Sequence, residues 1–467
     1  MHRFLARGRK TAASLFVALS AALALEACSS VTDSLLSAKD PDLIDPSATQ
    51  SADGAQGVYI GAIGRLRTAT TTGESTWLFG GLLADEWSTS STFIQNDETD
   101  QRRIALNNGS VTTQFRALER VRTATNQALP LLRKYRANEP VKQAEMYFSR
   151  GFAEAQLAQD FCNGIPLSDA SGDSLVFGAP LPVAEVFARA IASYDSALAL
   201  ATGSDANSVA ISRAARLGKA RALLGLDKVA EAAALVPAAS VPTSFSYDVT
   251  MSKTGGSNIL WGQPASSRRY TVADSLEGNA RNLFVKNAIP FFSAKDARLP
   301  VFYSVSANGR DTTKSQDGFT FSRTTTLWGE LTPVPLVSGL DARLIEAEAR
   351  LKLADYPGMM TILNGLRATP PKIGEILAPA LAPLATPANS AAAEDLYFRE
   401  KAFWTFSRGQ RLGDLRRLIR FYGRTPDTTF PVGTHYRGGE YGTDVNLPVP
   451  QDETNNPKFT GCIDRKA

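Results

Sequence analysis

Hydrolytic chemistry needs a nucleophile, a base and a group that orients the base, so the histidines are the first residues to weigh. The 467-residue chain has 2 of them, His2 near the start and His435 alone in a Gly/Tyr-rich loop. One imidazole without a second nearby speaks against a zinc site and against a Ser–His–Asp triad. No G-x-S-x-G, P-loop or G-x-G-x-x-G stretch occurs either. Carboxylates are harder to dismiss, because a glycosidase needs only two of them about 5–9.5 Å apart. Asp85-Glu86 ahead of Trp87 is the most suggestive spot, but adjacent residues on a helix or strand point in different directions. Asp85 therefore reads as a helix-end or salt-bridge partner. Glu346 and Glu348 in "LIEAEAR" are two apart and fall on different helix faces. No catalytic constellation, cofactor motif or metal-ligand set emerges, and the chain reads as a protein without enzymatic activity.

Aromatic residues in polar loops are the better lead. Sugar rings present apolar C–H faces that stack on aromatic rings, while amides and charged groups read the hydroxyls. Trp87 precedes "STSSTFIQNDET", which holds Phe93 and Asn96; "WGQPASSRRY" holds Gln263, Arg269 and Tyr270; Trp328 lies in a third such segment. These seven residues are the candidate ligand contacts. Burial in a core is the competing reading for each tryptophan.

The elements that must carry these loops are mostly helical. Amphipathic periodicity runs over 55–68, 111–135 and 141–161, and Pro182 opens a stripe from Val183 to Leu198 that ends before Gly203. Asn207 reads as the cap of a helix to Leu224, followed by a helix over 227–236. Small residues at Ala214, Gly218 and Ala222 suit close helix packing, in the style of tetratricopeptide hairpins. A second hairpin reads from Val337 to Leu353 and from Met359 to Arg367. Between them, 240–334 is rich in Ser, Thr, Gly and Asn, with β-like pieces "NILWG", "LPVFYSV" and "FTFSRTTTLWG". The chain thus divides into a leader (1–27), an extended tether (28–50), a helical N-terminal scaffold (51–239), a loop-rich ligand-face insertion (240–334) and C-terminal helices with a closing tail (335–467). The fold class is mainly α, a tetratricopeptide-like hairpin scaffold with long loop-rich insertions and a few short strands.

Location follows from the first 30 residues. Arg3, Arg7, Arg9 and Lys10 precede the apolar run Ala12 to Leu25, which is too short to span a bilayer. Leu25-Glu26-Ala27-Cys28 resembles the lipobox of bacterial lipoproteins, departing from it at Glu26. On that reading Cys28 is acylated and holds the protein on a membrane. The leader accounts for three of the formal +4 charges, so the remainder is near neutral and nucleic acid is not the expected partner. In an exported chain Cys162 and Cys462 suit one disulfide tying the tail to the body; two separate buried thiols are the alternative.

Near the end, "EDLYFREKAFWTFSRGQRLGDLRRL" (394–418) resembles the signature helix of SusD/RagB outer-membrane lipoproteins. "VNLPVPQDETNNPKF" is similar to that family's closing segment, and "LVSGLDARLIEAEARLKLADYPGMMTILNGLRA" to its helix hairpin. "AEMYFSRGFAEAQLAQDFCNGIPLS" resembles the upstream helix. The resemblance implies a cell-surface, lipid-anchored protein of the bacterial outer membrane that captures oligosaccharides, or in some members oligopeptides. Its implied partner is a SusC-like TonB-dependent barrel, over which it acts as a lid. Physically the signature stretch reads as scaffold, with charges tied among buried aromatics, so Trp404 is not a candidate contact. Two other functions remain open: a surface glycoside hydrolase or lyase on a helical scaffold, and a helical adaptor that binds no small ligand.

Overall fold

A computed structural model describes residues 49–467 apart from 74, 173, 279–282, 307, 308 and 310; Cys28, the leader and most of the tether lie outside these residues. Helix α1 (Ala52–Arg67) runs into a π-turn (Thr68–Thr72). Wholly buried α2 (Thr76–Leu83) follows, then the short α3 (Ile94–Asp100). The long helices are α4 (Gly109–Tyr135), α5 (Pro140–Asp160), α6 (Val183–Leu200) and α7 (Ala206–Leu224), with α8 (Val229–Leu235) after them. After the insertion come α9 (Gly339–Lys352), α10 (Tyr356–Ala368), α11 (Ser390–Trp404) and α12 (Arg411–Phe421). From α4 to α8 each helix lies against the next in the chain, and the row continues across the insertion from α8 to α9 and on to α10 and α11.

Sequence explains why these helices stack so closely. Along α5, Phe148 meets both Phe152 and the ring of Tyr194 on α6, which is 1 % exposed. Opposite that ring on α7 is Gly218, where any Cβ would come within 2.3 Å of it. A side chain there would push α6 and α7 apart, so the small-residue face of α7 is a packing requirement. The cap of α7 differs from the expectation: the Asp205 carboxylate, not Asn207, accepts the Asn207 and Ser208 amides, both at 3.1 Å.

The signature stretch breaks into two helices. α11 ends at Trp404, Ser407 (φ 60°) and Gly409 (φ 62°) turn the chain, and α12 starts at Arg411. Its charges are internal, as the scaffold reading requires. Arg408, 1 % exposed, donates to both oxygens of Asp341 at 3.1 and 2.8 Å, and Lys401 donates to Asp414 at 2.7 Å. Arg417 pairs with Glu348, which also accepts from Tyr397 at 3.0 Å and Tyr422 at 2.6 Å. Buried charges stand only when paired and hydrogen-bonded in this way.

Ten short strands pair two by two among the described residues. They are β1 (Trp87–Thr89), β2 (Ile165–Pro166), β3 (Pro180–Leu181), β4 (Ser246–Val249), β5 (Tyr270–Val272), β6 (Leu276–Glu277), β7 (Leu283–Phe284), β8 (Val301–Tyr303), β9 (Arg323–Thr325) and β10 (Val334–Ser338). The pairs are β1–β5, β2–β3, β4–β10, β6–β7 and β8–β9, all antiparallel. Two of the β-like pieces contain β8 and β9, whereas "NILWG" forms a helical turn, Ile259–Trp261, capped by the Asn258 side chain. Cys162 and Cys462 are joined by a disulfide across a sequence separation of 300 residues, with Cα atoms 6.1 Å apart. It pins the tail beside α5, where Asn163 and Asp464 bridge.

Candidate functional site

The insertion and the loop after α2 are built onto each other. β1 pairs with β5 in the register Trp87↔Val272, Ser88↔Thr271, Thr89↔Tyr270. The Thr271 hydroxyl then accepts the Arg323 amide at 2.7 Å, so β9 and its partner β8 join the same layer. Within β8–β9, Tyr303 stands opposite Arg323.

These strands frame a cleft of about 110 Å³. Its walls are aromatic: the Phe292 and Tyr303 rings lie 4.8 Å apart and tilted, and Phe321 meets Tyr303 edge-on at 6.1 Å. Tyr303 is 38 % exposed, so its ring is open to a ligand. The floor is polar and fixed. Arg323 grips both oxygens of Glu277, at 2.6 and 2.5 Å, and Glu277 also accepts from the Ser88 hydroxyl at 2.8 Å. Asp274 beside it accepts the Ser293 amide at 3.1 Å and the Ser293 hydroxyl. Burial pushes the Glu277 carboxyl up, and Arg323 opposes that shift. Rigid aromatic walls over oriented donors and acceptors can hold the apolar face and hydroxyl edge of a sugar.

A second aromatic–cation strip lies on the neighbouring loops. Arg269 covers the Phe93 ring at 4.2 Å, and Arg437 covers Phe319 at 5.1 Å. Arg437 also donates to the Ser91 carbonyl at 2.8 Å and to Asp317 at 3.0 Å, tying the two loops together.

Of the seven candidate contacts, the structure brings together only Phe93 (37 % exposed) and the half-buried Arg269. Trp87, Asn96, Tyr270 and Trp328 are corrections, being 0, 0, 1 and 2 % exposed. Trp87 packs 4.9 Å from Phe406 in the main core, and Trp328 donates its ring N–H to Ser407 at 2.7 Å. Tyr270 is an inner strand residue, and Asn96 faces inward from α3. Large apolar rings gain too much from burial to stay in a loop when a core lies beneath it. Gln263 is half-buried in a π-turn after the helical turn, with its carbonyl oxygen enclosed. Sequence reasoning missed Phe292, Tyr303, Phe321, Glu277 and Arg323. The usable signal was the run of aromatics in "LPVFYSV" and "FTFSR", where a strand pair must turn some rings outward.

The cleft's two carboxylates, Asp274 and Glu277, are engaged within its floor, and the acids and histidine weighed from sequence lie elsewhere. His435 is 1 % exposed, 3.4 Å from Asp100. Asp85 and Glu86 are 3 and 0 % exposed, and burial raises both carboxyls, Glu86 to about 8. Among the described residues no group of three His, Cys, Asp or Glu is placed to hold a metal ion, and no helix is long and apolar enough to cross a membrane.

No family model and no curated protein matches the sequence. Solved structures do match. A SusD superfamily protein of Bacteroides vulgatus is 15 % identical with a TM-score of 0.60, covering 88 % of this chain and 99 % of its own. A SusD-like carbohydrate-binding protein of the same species is 14 % identical with a TM-score of 0.58, over 88 and 97 %. The surface glycan-binding protein A of Bacteroides uniformis is 14 % identical with a TM-score of 0.62, over 88 and 99 %. Likeness over nearly the full length of each neighbour means that this chain has the SusD-like fold.

Proposed function

We propose that the chain is a SusD/RagB-type surface lipoprotein that captures oligosaccharides and presents them to a TonB-dependent barrel of the SusC type, without cleaving them. The observation that carries this reading is the aromatic-walled, ion-paired cleft of Phe292, Tyr303, Phe321, Arg323 and Glu277 on a helical scaffold. Two structural neighbours named as carbohydrate- or glycan-binding support it. Enclosure of Asp85, Glu86 and His435 keeps these three groups from a bound glycan, and the cleft's own carboxylates, Asp274 and Glu277, are engaged by Ser293 and by Arg323 and Ser88, an arrangement that supports binding. Acylation at Cys28 supplies the anchor, and oligosaccharide transfer to the barrel supplies the purpose.

The test is calorimetry of the purified chain against a glycan panel and a peptide library, followed by the Tyr303→Ala variant on whichever ligand binds. Loss of a stacking ring at a binding centre costs ~1–3 kcal/mol, a drop of roughly 5- to 150-fold in affinity. Unchanged affinity in the variant takes the cleft out of the reading. A ligand found only among peptides replaces the oligosaccharide, and release of sugar fragments replaces binding by hydrolysis.

A further inference from the structure

A second cavity, of about 30 Å³, lies among α5, α7, α9 and α12 and shares no lining residue with the aromatic cleft. Five cations line it: Arg221, Lys401, Arg416, Arg417 and Arg420. Only two carboxylates do, Asp341 and Asp414. Both are already taken. Asp414 receives Lys401 at 2.7 Å and Arg417 at 3.2 Å, and Asp341 receives Arg408, which comes from outside the cavity lining. Arg417 has a further acid in Glu348.

That leaves Arg221, Arg416 and Arg420 without an ion pair among the described residues. Arg221 finds only the Leu336 carbonyl at 3.2 Å and the Gln159 amide oxygen at 3.5 Å. Arg416 uses one terminal nitrogen, Nη1, on the Ala158 and Gln159 carbonyls at 3.2 and 2.6 Å. Its Nε and Nη2 are enclosed with no acceptor, and the residue is 2 % exposed. Burial first, and Arg420 second, hold this guanidinium down at about 9; burial likewise lowers Arg221 and Arg420. The acid that acts most on Arg416 is Asp160, itself raised to about 7 by burial. Asp341, Asp160 and Asp227 act on Arg221, Arg416 and Arg420 from a distance, but none reaches its arginine as an ion pair, and clustered arginines short of direct counter-charge are costly to bury.

We propose that this cavity binds a chloride-sized inorganic anion, held by Nε and Nη2 of Arg416 with Arg221 and Arg420 completing its shell. The room suits roughly two water-sized bodies, which one monatomic anion and a water fill. Water alone would accept the free N–H groups and leave their charge uncompensated. The anion is thus a structural counter-ion at the seam where α12 meets α5, α7 and α9.

Thermal unfolding of the full chain in sodium chloride and in sodium gluconate of equal ionic strength tests this. The expected result is a Tm higher by about 2–5 °C at saturating chloride. Arg420→Gln, at the half-buried rim, should remove the difference between the two salts while the chain still folds. Crystals of the unaltered protein soaked in bromide should show an anomalous peak inside the cavity, a measurement that no variant's folding affects. Equal Tm values in the two salts, or bromide-soaked crystals without a peak in the cavity, overturn the proposal.

Discussion

Glu86 offers a quantitative test of how the interior beneath the loop face is organised. Its side chain is fully enclosed; Oε1 accepts the Ser407 amide at 3.0 Å, and Oε2 has no partner among the described residues. Burial raises its carboxyl from 4.5 to about 8, with the Ser407 amide and Arg411 pulling the other way. The folded chain therefore holds this proton more tightly than the unfolded chain does. Stability from that proton is complete below pH 4.5 and is lost as pH climbs through about 8. At ~1.36 kcal/mol per pH unit the window corresponds to about 3–5 kcal/mol. Glu86→Gln keeps an oxygen for the Ser407 amide and has nothing to titrate. Guanidinium unfolding of both proteins at pH 5, 7 and 9 should show the variant gaining on the parent across the series. Parallel curves would mean that Glu86 ionises freely in the native state. The carboxyl would then be reached by water, and its exclusion from chemistry would fall with that result.

Trp87→Ala should cost ~3–5 kcal/mol of stability, because the indole fills a sealed part of the core; an unchanged denaturation midpoint would return Trp87 to the surface. Arg408→Met leaves Asp341 as an unpaired internal charge, and urea unfolding should register a loss of ~3–5 kcal/mol. Peptide mapping without reductant should recover Cys162 linked to Cys462, and reduction should lower stability by ~2–5 kcal/mol.

Helices were legible from sequence wherever one face alone meets the core. The stripes on α4, α5 and α6 fixed their positions to within a few residues, since spacing and burial give the same answer there. α2 escaped notice because all eight of its residues are buried, which erases periodicity. The break at Ser407–Gly409 was hidden because charged residues continue through it, and they are held by partners distant in sequence such as Asp341. Ligand contacts were hardest to read. Composition can say that a loop carries tryptophan beside asparagine, but whether the ring turns inward depends on what lies under the loop. Beneath Trp87 lies Phe406, more than 300 positions away.

Phe292, Tyr303 and Phe321 lie outside the main core cluster, whereas the helices that carry their loops contribute to it heavily. Natural selection can thus rewrite the cleft without jeopardising folding. On the proposed reading, substitutions at these wall residues would change what the cleft accepts at little cost to the core, whereas substitutions among the buried arginine pairs would act on folding first. That division of labour fits a fold shared with solved structures only 12–15 % identical to this chain.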